Sequence, residues 1–207
     1  MTLRIAATLS ILLGVAILIV YLHLLDKGQW ADAAQRHLRA MKDRTRAPDQ
    51  PMPFTIADMA RLPRRARLSE YAPIERRGVV VEGYVERMFR ASDGDFHLDF
   101  APTSPSPHGR LVPYLSAEIT PQWHLESSTW RFESLLAAFR PDSGGVTPWD
   151  EGPRRVRLTG WLVYDFPYEG GRTRAGMPPH LSYWEIHPVT RIELWNDSVA
   201  RFVEYPR

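Results

Sequence analysis

Residues Val79–Phe89 read VVVEGYVERMF, and their alternation decides the fold class of this chain. Val81 and Val85 fall on one face of an extended segment, whereas Glu82 and Tyr84 fall on the other. Because successive side chains of a strand point to opposite faces, this period of two is typical of a strand with one buried face. The stretch therefore predicts a strand and argues against a helix.

Four further stretches continue this alternation toward the C-terminus. Asp93-Gly94 is a typical two-residue turn signal between the first and second of the five strands. Pro188 interrupts the last stretch, and because proline lacks an N–H group it predicts a bulge or a sheet edge there. The further predicted strands are Phe96–Phe100, Leu115–Ile119, Arg154–Asp165 and Tyr183–Trp195.

One helical pattern lies between the third and fourth predicted strands. Residues Thr129–Arg140 read TWRFESLLAAFR, with Phe132, Leu135 and Phe139 on one stripe. Three strands, a helix and two strands are the element order of the OB-fold, a five-stranded Greek-key barrel. We therefore expect a mainly β protein, with an OB-like five-stranded barrel and one helix between strands 3 and 4.

Four motifs lie along the predicted strands: DGDFHLDF at Asp93–Phe100, AEITP at Ala117–Pro121, VRLTGWLVYD at Val156–Asp165 and WEIHPVTRIE at Trp184–Glu193. These motifs resemble those of a family of small bacterial OB-like β-barrel proteins. The resemblance covers residues 78–195, and it implies the same barrel for this chain. That family has no assigned biochemical activity, so the resemblance implies a fold and no function.

The N-terminal region predicts a membrane anchor. Residues Ile5–Leu25 carry no formal charge, and at about 1.5 Å rise per residue a helix of this length approaches the ~30 Å hydrocarbon core of a bilayer. The alternative is a cleaved signal peptide, with an Ala-x-Ala pattern at Ala31–Ala33, but the apolar run is longer than such signals have. We expect a transmembrane anchor in residues 1–27, a juxtamembrane helix and Pro-rich linker in 28–53, and the OB-like domain in 54–207.

We expect a single-pass signal-anchor in the bacterial cytoplasmic membrane, and two features of the sequence predict opposite orientations for it. Only Arg4 precedes the span, whereas several basic residues between Lys27 and Arg46 follow it, which by the positive-inside rule places the domain in the cytoplasm. Against this, long domains that follow an N-terminal span translocate largely regardless of charge. The balance favours an extracytoplasmic location for the bulk of the chain.

Composition and motifs exclude several classes of function. The chain has no cysteine, so it has no disulfide, no metal–thiolate site and no cysteine nucleophile. From Pro51 onward arginines and acidic residues nearly balance, which is not the charge pattern of a non-specific nucleic-acid binder. The sequence contains no G-x-S-x-G elbow and no phosphate-binding glycine loop, so it gives no evidence for a nucleotide cofactor and assigns no catalytic residue.

Polar residues on three predicted strands suggest a metal site. His97 lies on the second strand, Glu118 on the third, and Glu185 and His187 on the fifth, and these strands are neighbours in an OB barrel. Imidazole and carboxylate groups can bind zinc or manganese, and a bound metal ion can activate water. One reading is therefore a metal-assisted hydrolase, with phosphodiesters as a candidate substrate. A second is a hydrogen-bonded His/Glu network that braces the barrel, and a third is ordinary solvated polar surface.

Aromatic and basic residues on the outer barrel surface suggest a binding function instead. OB-folds stack bases and sugars on exposed aromatic side chains, and Tyr84 and Trp161 lie on strands that are adjacent in this barrel. Arg155 and Arg157 lie beside them. The leading hypothesis is a membrane-anchored OB-like binding module whose ligand is a protein, glycan or nucleic acid, with a protein partner favoured and nucleic acid only weakly supported.

Overall fold

The computed structural model describes residues 12–22, 32–104, 112–140, 153–169 and 179–207. The chain divides into two compact units, residues 1–39 and residues 40–207. Residues 12–22 are helical, and a second helix spans Ala33–Lys42. All strands of the described residues belong to the second unit.

The predicted membrane span is not supported by the structure. Residues 12–22 are the part of Ile5–Leu25 that the structure describes, and their side chains are exposed. Among the described residues, no helix is both long and apolar enough to cross a membrane. Residues 5–11 and 23–25 of the predicted span lie outside the described residues.

In the described residues, seven strands form one sheet, and five of them close into a barrel. The strands are β1 (Met52–Phe54), β2 (Gly78–Arg90), β3 (Phe96–Ala101), β4 (Leu115–Ile119), β5 (Arg155–Tyr164), β6 (Trp184–Asn196) and β7 (Arg201–Tyr205). The order around the barrel is β2-β3-β4-β6-β5, and β5 pairs back onto β2. Neighbours pair antiparallel except β4 and β6, which are parallel.

The predicted fold class is confirmed at the level of architecture. The protein is mainly β, its barrel is closed and five-stranded, and the helix Phe132–Phe139 lies between the third and fourth barrel strands. This helix begins later than the predicted Thr129, because the backbone N–H groups of Thr129 and Trp130 both donate to Ser127 Oγ in a turn that precedes it. The other short α-helices in the described part of the domain are Ile56–Ala60, Leu68–Tyr71 and Pro121–His124, and Phe166–Tyr168 forms one turn of 3₁₀ helix.

The hydrophobic core fills the barrel and extends under the helix. Alternate residues of β2, such as Val79, Val81 and Val85, are fully buried, as their spacing predicts. Leu135 and Phe139 of the helix join the same cluster. Burial of such side chains contributes roughly 25 cal/mol per Å² of apolar surface removed from water.

The predicted irregularity at Pro188 is confirmed. Thr159 pairs with Arg191, Gly160 with Val189 and Leu162 with Ile186, so β6 carries two extra residues opposite β5, one on either side of Val189. A Cβ atom on Gly160 would lie 2.4 Å from the backbone oxygen of Pro188. Glycine is therefore required at this position, because the two strands approach too closely for a side chain.

The segment that was predicted as a Pro-rich linker is partly built into the domain. Met52 and Pro53 belong to β1, which pairs parallel with β2. A Cβ atom on Gly78 would lie 2.1 Å from Cβ of Pro48, so residues before β1 also pack against the barrel. The sequence missed both β1 and β7, which add to the outside of the five-stranded barrel.

Candidate functional site

The outer face of β3, β4 and β6 is polar and yet buried. On β6, Trp184 and Ile186 pack in the core, and the alternate residues Glu185 and His187 are only 3% and 1% exposed. Glu118 of β4 is 8% exposed. Burial of charged groups is costly unless they are paired, so the contacts of these side chains decide what the face can do.

Glu118 lies at the centre of this face. Its Oε1 atom is 2.8 Å from Nδ1 of His97, and its Oε2 atom is 2.9 Å from Nδ1 of His187. The same Nδ1 atom of His187 is 3.1 Å from Oε1 of Glu185. The strand register explains this convergence, since His97 pairs directly with Glu118 across β3 and β4. The structure thus joins all four sequence-predicted metal residues in one hydrogen-bonded network, which we call the Glu118 network (His97, Glu118, Glu185 and His187).

Lys42 closes one side of the Glu118 network. Its Nζ atom lies 3.2 Å from Oε1 of Glu185 and 3.1 Å from Oδ2 of Asp165. Burial disfavours the charged lysine, but the surrounding carboxylates of Glu185 and Asp165 outweigh it and raise the pKa of Lys42 above its usual value. Lys42 is therefore a fixed positive charge in an acidic surrounding.

Asp95 lies on the other side of the network. It immediately precedes β3, and its Oδ2 atom is 3.6 Å from Nε2 of His187. One potential ligand atom each from Asp95, Glu118 and His187 lies within 4.8 Å of the others, and all three residues are buried. These three side chains could hold a metal ion between them.

The pKa values of the Glu118 carboxylate and of the two histidines in the network are shifted in opposite directions. Burial opposes ionisation of Glu118, but hydrogen bonds from His187 and His97 outweigh it and hold the pKa of Glu118 well below its usual range. Burial likewise opposes protonation of the two histidines. Their hydrogen bonds to carboxylates outweigh this effect and raise the pKa of His97 and of His187 to about 9. Glu118 is therefore a carboxylate between two imidazolium groups.

The pKa values of two other carboxyl groups, those of Asp95 and Asp165, are raised instead of lowered. Burial and the neighbouring charge of Glu118 raise the pKa of Asp95 to about 7, although His187 opposes the shift. Burial and the charge of Glu185 raise the pKa of Asp165 to about 7 against the effect of Lys42. Strongly perturbed groups of this kind cluster at functional sites more often than elsewhere.

A cavity of about 750 Å³ opens onto the Glu118 network. This volume is within the range of small-molecule binding pockets. Arg87 forms an ion pair with Asp99 on its wall, and the Tyr114 hydroxyl lies 2.8 Å from Nε2 of His180. The cavity is also lined by aromatic side chains, namely Phe89, Tyr168, Tyr183 and Trp184.

The sequence-predicted aromatic platform is not brought together. Tyr84 pairs with Arg155 across β2 and β5, whereas Trp161 pairs with Gly78 at the far end of the same ladder. Six residue positions separate Tyr84 and Trp161 along this ladder, which is about 20 Å of strand. Trp161 Nε1 donates to the backbone oxygen of Arg46 at 2.8 Å, so its polar edge is engaged by the segment before β1.

The two predicted binding arginines are also engaged. Arg155 and Arg157 both approach the carboxylate of Glu82. The guanidinium of Arg157 lies 3.9 Å from the ring centre of Phe202 on β7. These contacts place Arg155 and Arg157 on a different barrel face from the cavity lining.

Sequence reasoning missed three residues of the site: Lys42, Asp95 and Asp165. Asp95 had a usable signal, because Asp95, His97 and Asp99 alternate along one direction of the chain. No feature of the sequence indicates Lys42 as a site residue, because its partner Asp165 is 123 positions away along the chain.

Comparison with known proteins adds no assignment: no protein-family model matches the chain, and no curated protein matches it. The resemblance to bacterial OB-like proteins therefore stays a prediction from four motifs.

Proposed function

We propose that this chain is an OB-like binding module, anchored to a membrane by residues 5–25, whose cavity binds a neutral glycan. The observation that carries the proposal is the cavity of about 750 Å³ with the Glu118 network on its inner wall. A network that only stabilised the barrel would not need to line an open cavity. Here Glu118 and Glu185 line an open space that a ligand can enter.

The charge of the cavity lining disfavours a nucleic acid as the ligand. Its carboxylates outnumber its permanent cations, which are Lys42 and Arg87. A nucleic acid would bring phosphates toward these carboxylates, which is electrostatically unfavourable. The acidic residues of the lining are Asp93, Asp99, Glu118, Asp165 and Glu185.

A glycan fits both features of the lining. Carboxylates accept hydrogen bonds from hydroxyl groups, and charge-assisted bonds of this kind are stronger than neutral ones. Phe89 and Tyr168 are 43% and 67% exposed, so they offer aromatic surface to an entering sugar ring. Oligosaccharides are among the ligands that OB-like barrels bind.

Calorimetry with chitotriose, a neutral oligosaccharide, tests the ligand class. We expect saturable binding that Tyr168→Ala weakens by at least about tenfold, since base-stacking aromatics in comparable sites contribute about 1–3 kcal/mol each. Trp195→Ala is the matched control, because Trp195 packs against Phe202 and is not part of the cavity lining. Binding of a short oligothymidine in place of chitotriose would overturn the glycan assignment.

The membrane anchor rests on the uncharged character of residues 5–25 and needs its own test. We expect the full-length chain to stay in the membrane pellet after an alkaline carbonate wash. Recovery of the intact chain in the wash would overturn the anchor and leave the proposed cavity function standing.

A metal-assisted hydrolase that acts on phosphodiesters is the second candidate. It is favoured by the separation of proton affinities between Asp95, with a pKa of about 7, and Glu118, which stays ionised. Such a pair can divide the roles of proton donor and acceptor. Turnover of bis(p-nitrophenyl) phosphate with Mn²⁺, lost in Glu185→Gln, would place this function ahead of glycan binding.

A further inference from the structure

We infer that Asp95, Glu118 and His187 form a binding site for one divalent transition-metal ion, with Mn²⁺ and Zn²⁺ as the fitting ions. One potential ligand atom from each lies within 4.8 Å of the others, and the three residues come from the segment before β3, from β4 and from β6. Metal–ligand bonds to nitrogen and oxygen are about 2.0–2.2 Å long, so ligands of one ion lie roughly 3–4 Å apart. The spacing of the three groups is compatible with a shared ion.

His187 supplies the second observation that points to a ligand. Its side chain is 1% exposed, and its Nε2 atom has no hydrogen-bond partner. The nearest carboxylate oxygen, Oδ2 of Asp95, is 3.6 Å away, which is too far for a hydrogen bond. A buried ring nitrogen without a partner is costly, and a metal ion between it and Asp95 would remove that cost.

The other ring nitrogen of His187 is already held in the manner of a metal ligand. Nδ1 lies 3.1 Å from Oε1 of Glu185 and donates its proton to this carboxylate, which is not one of the three ligands. Metal-binding histidines usually donate their second nitrogen in this way, which fixes the ring orientation and leaves the first nitrogen free for the ion. Lys42 in turn fixes Glu185 at 3.2 Å.

The charges around the site allow a cation to bind when it displaces the second ring proton of His187, because a metal ligand must be deprotonated. Lys42 pairs with Asp165 and Glu185, and Arg87 pairs with Asp99, so these cations are engaged by carboxylates outside the three-residue set. One imidazole nitrogen and two carboxylates form a mixed donor set. Such sets suit Mn²⁺ and Zn²⁺ better than Mg²⁺, which prefers oxygen ligands and retains its water.

This site differs from the sequence-predicted one. Glu118 and His187 are shared, but Asp95 replaces His97 and Glu185, which instead hold the two shared residues in place. The inference does not depend on glycan binding, because the three ligands are defined by their own geometry.

Calorimetric titration of the EDTA-treated full-length protein with MnCl₂ and ZnCl₂ tests the site. We expect one ion per chain and weaker binding of Mg²⁺. Asp95→Asn should weaken Mn²⁺ binding by more than about 100-fold, and Glu185→Gln by about 10- to 100-fold, which is the usual effect of losing a residue that supports a ligand. Asp165→Asn is the matched control, since Asp165 is as buried as Asp95 and is not one of the three ligands.

Two results would overturn the inference. One is the absence of Mn²⁺ and Zn²⁺ binding to the wild-type protein, and the other is an equal loss in Asp95→Asn and Asp165→Asn, which would indicate a diffuse acidic surface. Crystals of the wild-type protein soaked in MnCl₂ give a check that needs no variant. An anomalous peak between Asp95, Glu118 and His187 is expected, and a peak only elsewhere would contradict the site. Chitotriose titrations of the same sample separate failure of this site from failure of the glycan proposal.

Discussion

The carboxylate of Glu118 lies 2.9 Å from Nδ1 of His187, and this contact joins β4 to β6 where the barrel has least backbone pairing. Ala117 and Ile186 form the single paired position between these two parallel strands in the described residues. The Glu118 network therefore contributes to barrel closure as well as lining the cavity. Stability and binding are expected to depend on the same carboxylate.

Replacement of Glu118 by glutamine should destabilise the fold strongly. The change removes the charge between His97 and His187, and loss of one partner of a buried ion pair costs about 3–5 kcal/mol. Urea unfolding of the variant measures this loss. Glu82→Gln is the matched control, because Glu82 pairs with Arg155 on an exposed face and should cost less than about 1 kcal/mol. Equal losses in the two variants would contradict a closing role for Glu118.

Substitution of Gly160 by alanine should disturb the β5–β6 junction. The added Cβ atom would lie 2.4 Å from the oxygen of Pro188 and 2.6 Å from Cγ2 of Ile186. Overpacking of this kind costs about 1–3 kcal/mol or more, because the backbone must shift. Gly14→Ala is the control, since its Cβ atom meets nothing within 4 Å. A melting temperature unchanged by Gly160→Ala would contradict the close approach.

Ionisation of Asp165 should lower the free energy of unfolding as pH rises toward neutrality. Its pKa is about 7 in the folded chain, where burial and Glu185 disfavour the charge, against about 3.9 in an unfolded chain. Its stabilising contribution is therefore fully present below about pH 4 and is lost as pH rises through about 7. Unfolding free energies between these pH values should fall more steeply for the wild type than for Asp165→Asn. Parallel profiles would show that Asp165 does not titrate in this way.

The barrel was predictable because its strands have one uniformly apolar face. Val79–Phe89 and Leu115–Ile119 show the period of two directly, and the observed strands differ from the predicted ones by about one residue at most ends. The two missed strands, β1 and β7, are short and lie outside the barrel, where burial does not enforce alternation. Their positions depend on tertiary pairing that the local sequence does not encode.

The site was predictable only where it follows strand register. His97 and Glu118 are directly opposed on β3 and β4, so their contact follows from the barrel topology. Lys42 reaches Glu185 from a helix far earlier in the chain, and no local pattern indicates that approach. The predicted aromatic platform does not form for a related reason. Two strands can be adjacent while residues on them, here Tyr84 and Trp161, lie far apart along the strands.

The most direct test of the cavity as the binding site is a histidine side-chain NMR titration with chitotriose. His97 and His180 line the cavity, whereas His124 does not and stacks on Phe96. We predict that the ring signals of His97 and His180 shift together and saturate while the signal of His124 stays in place. Cavity histidine signals that remain unmoved at saturating chitotriose, or a shift of His124 alone, would contradict the account.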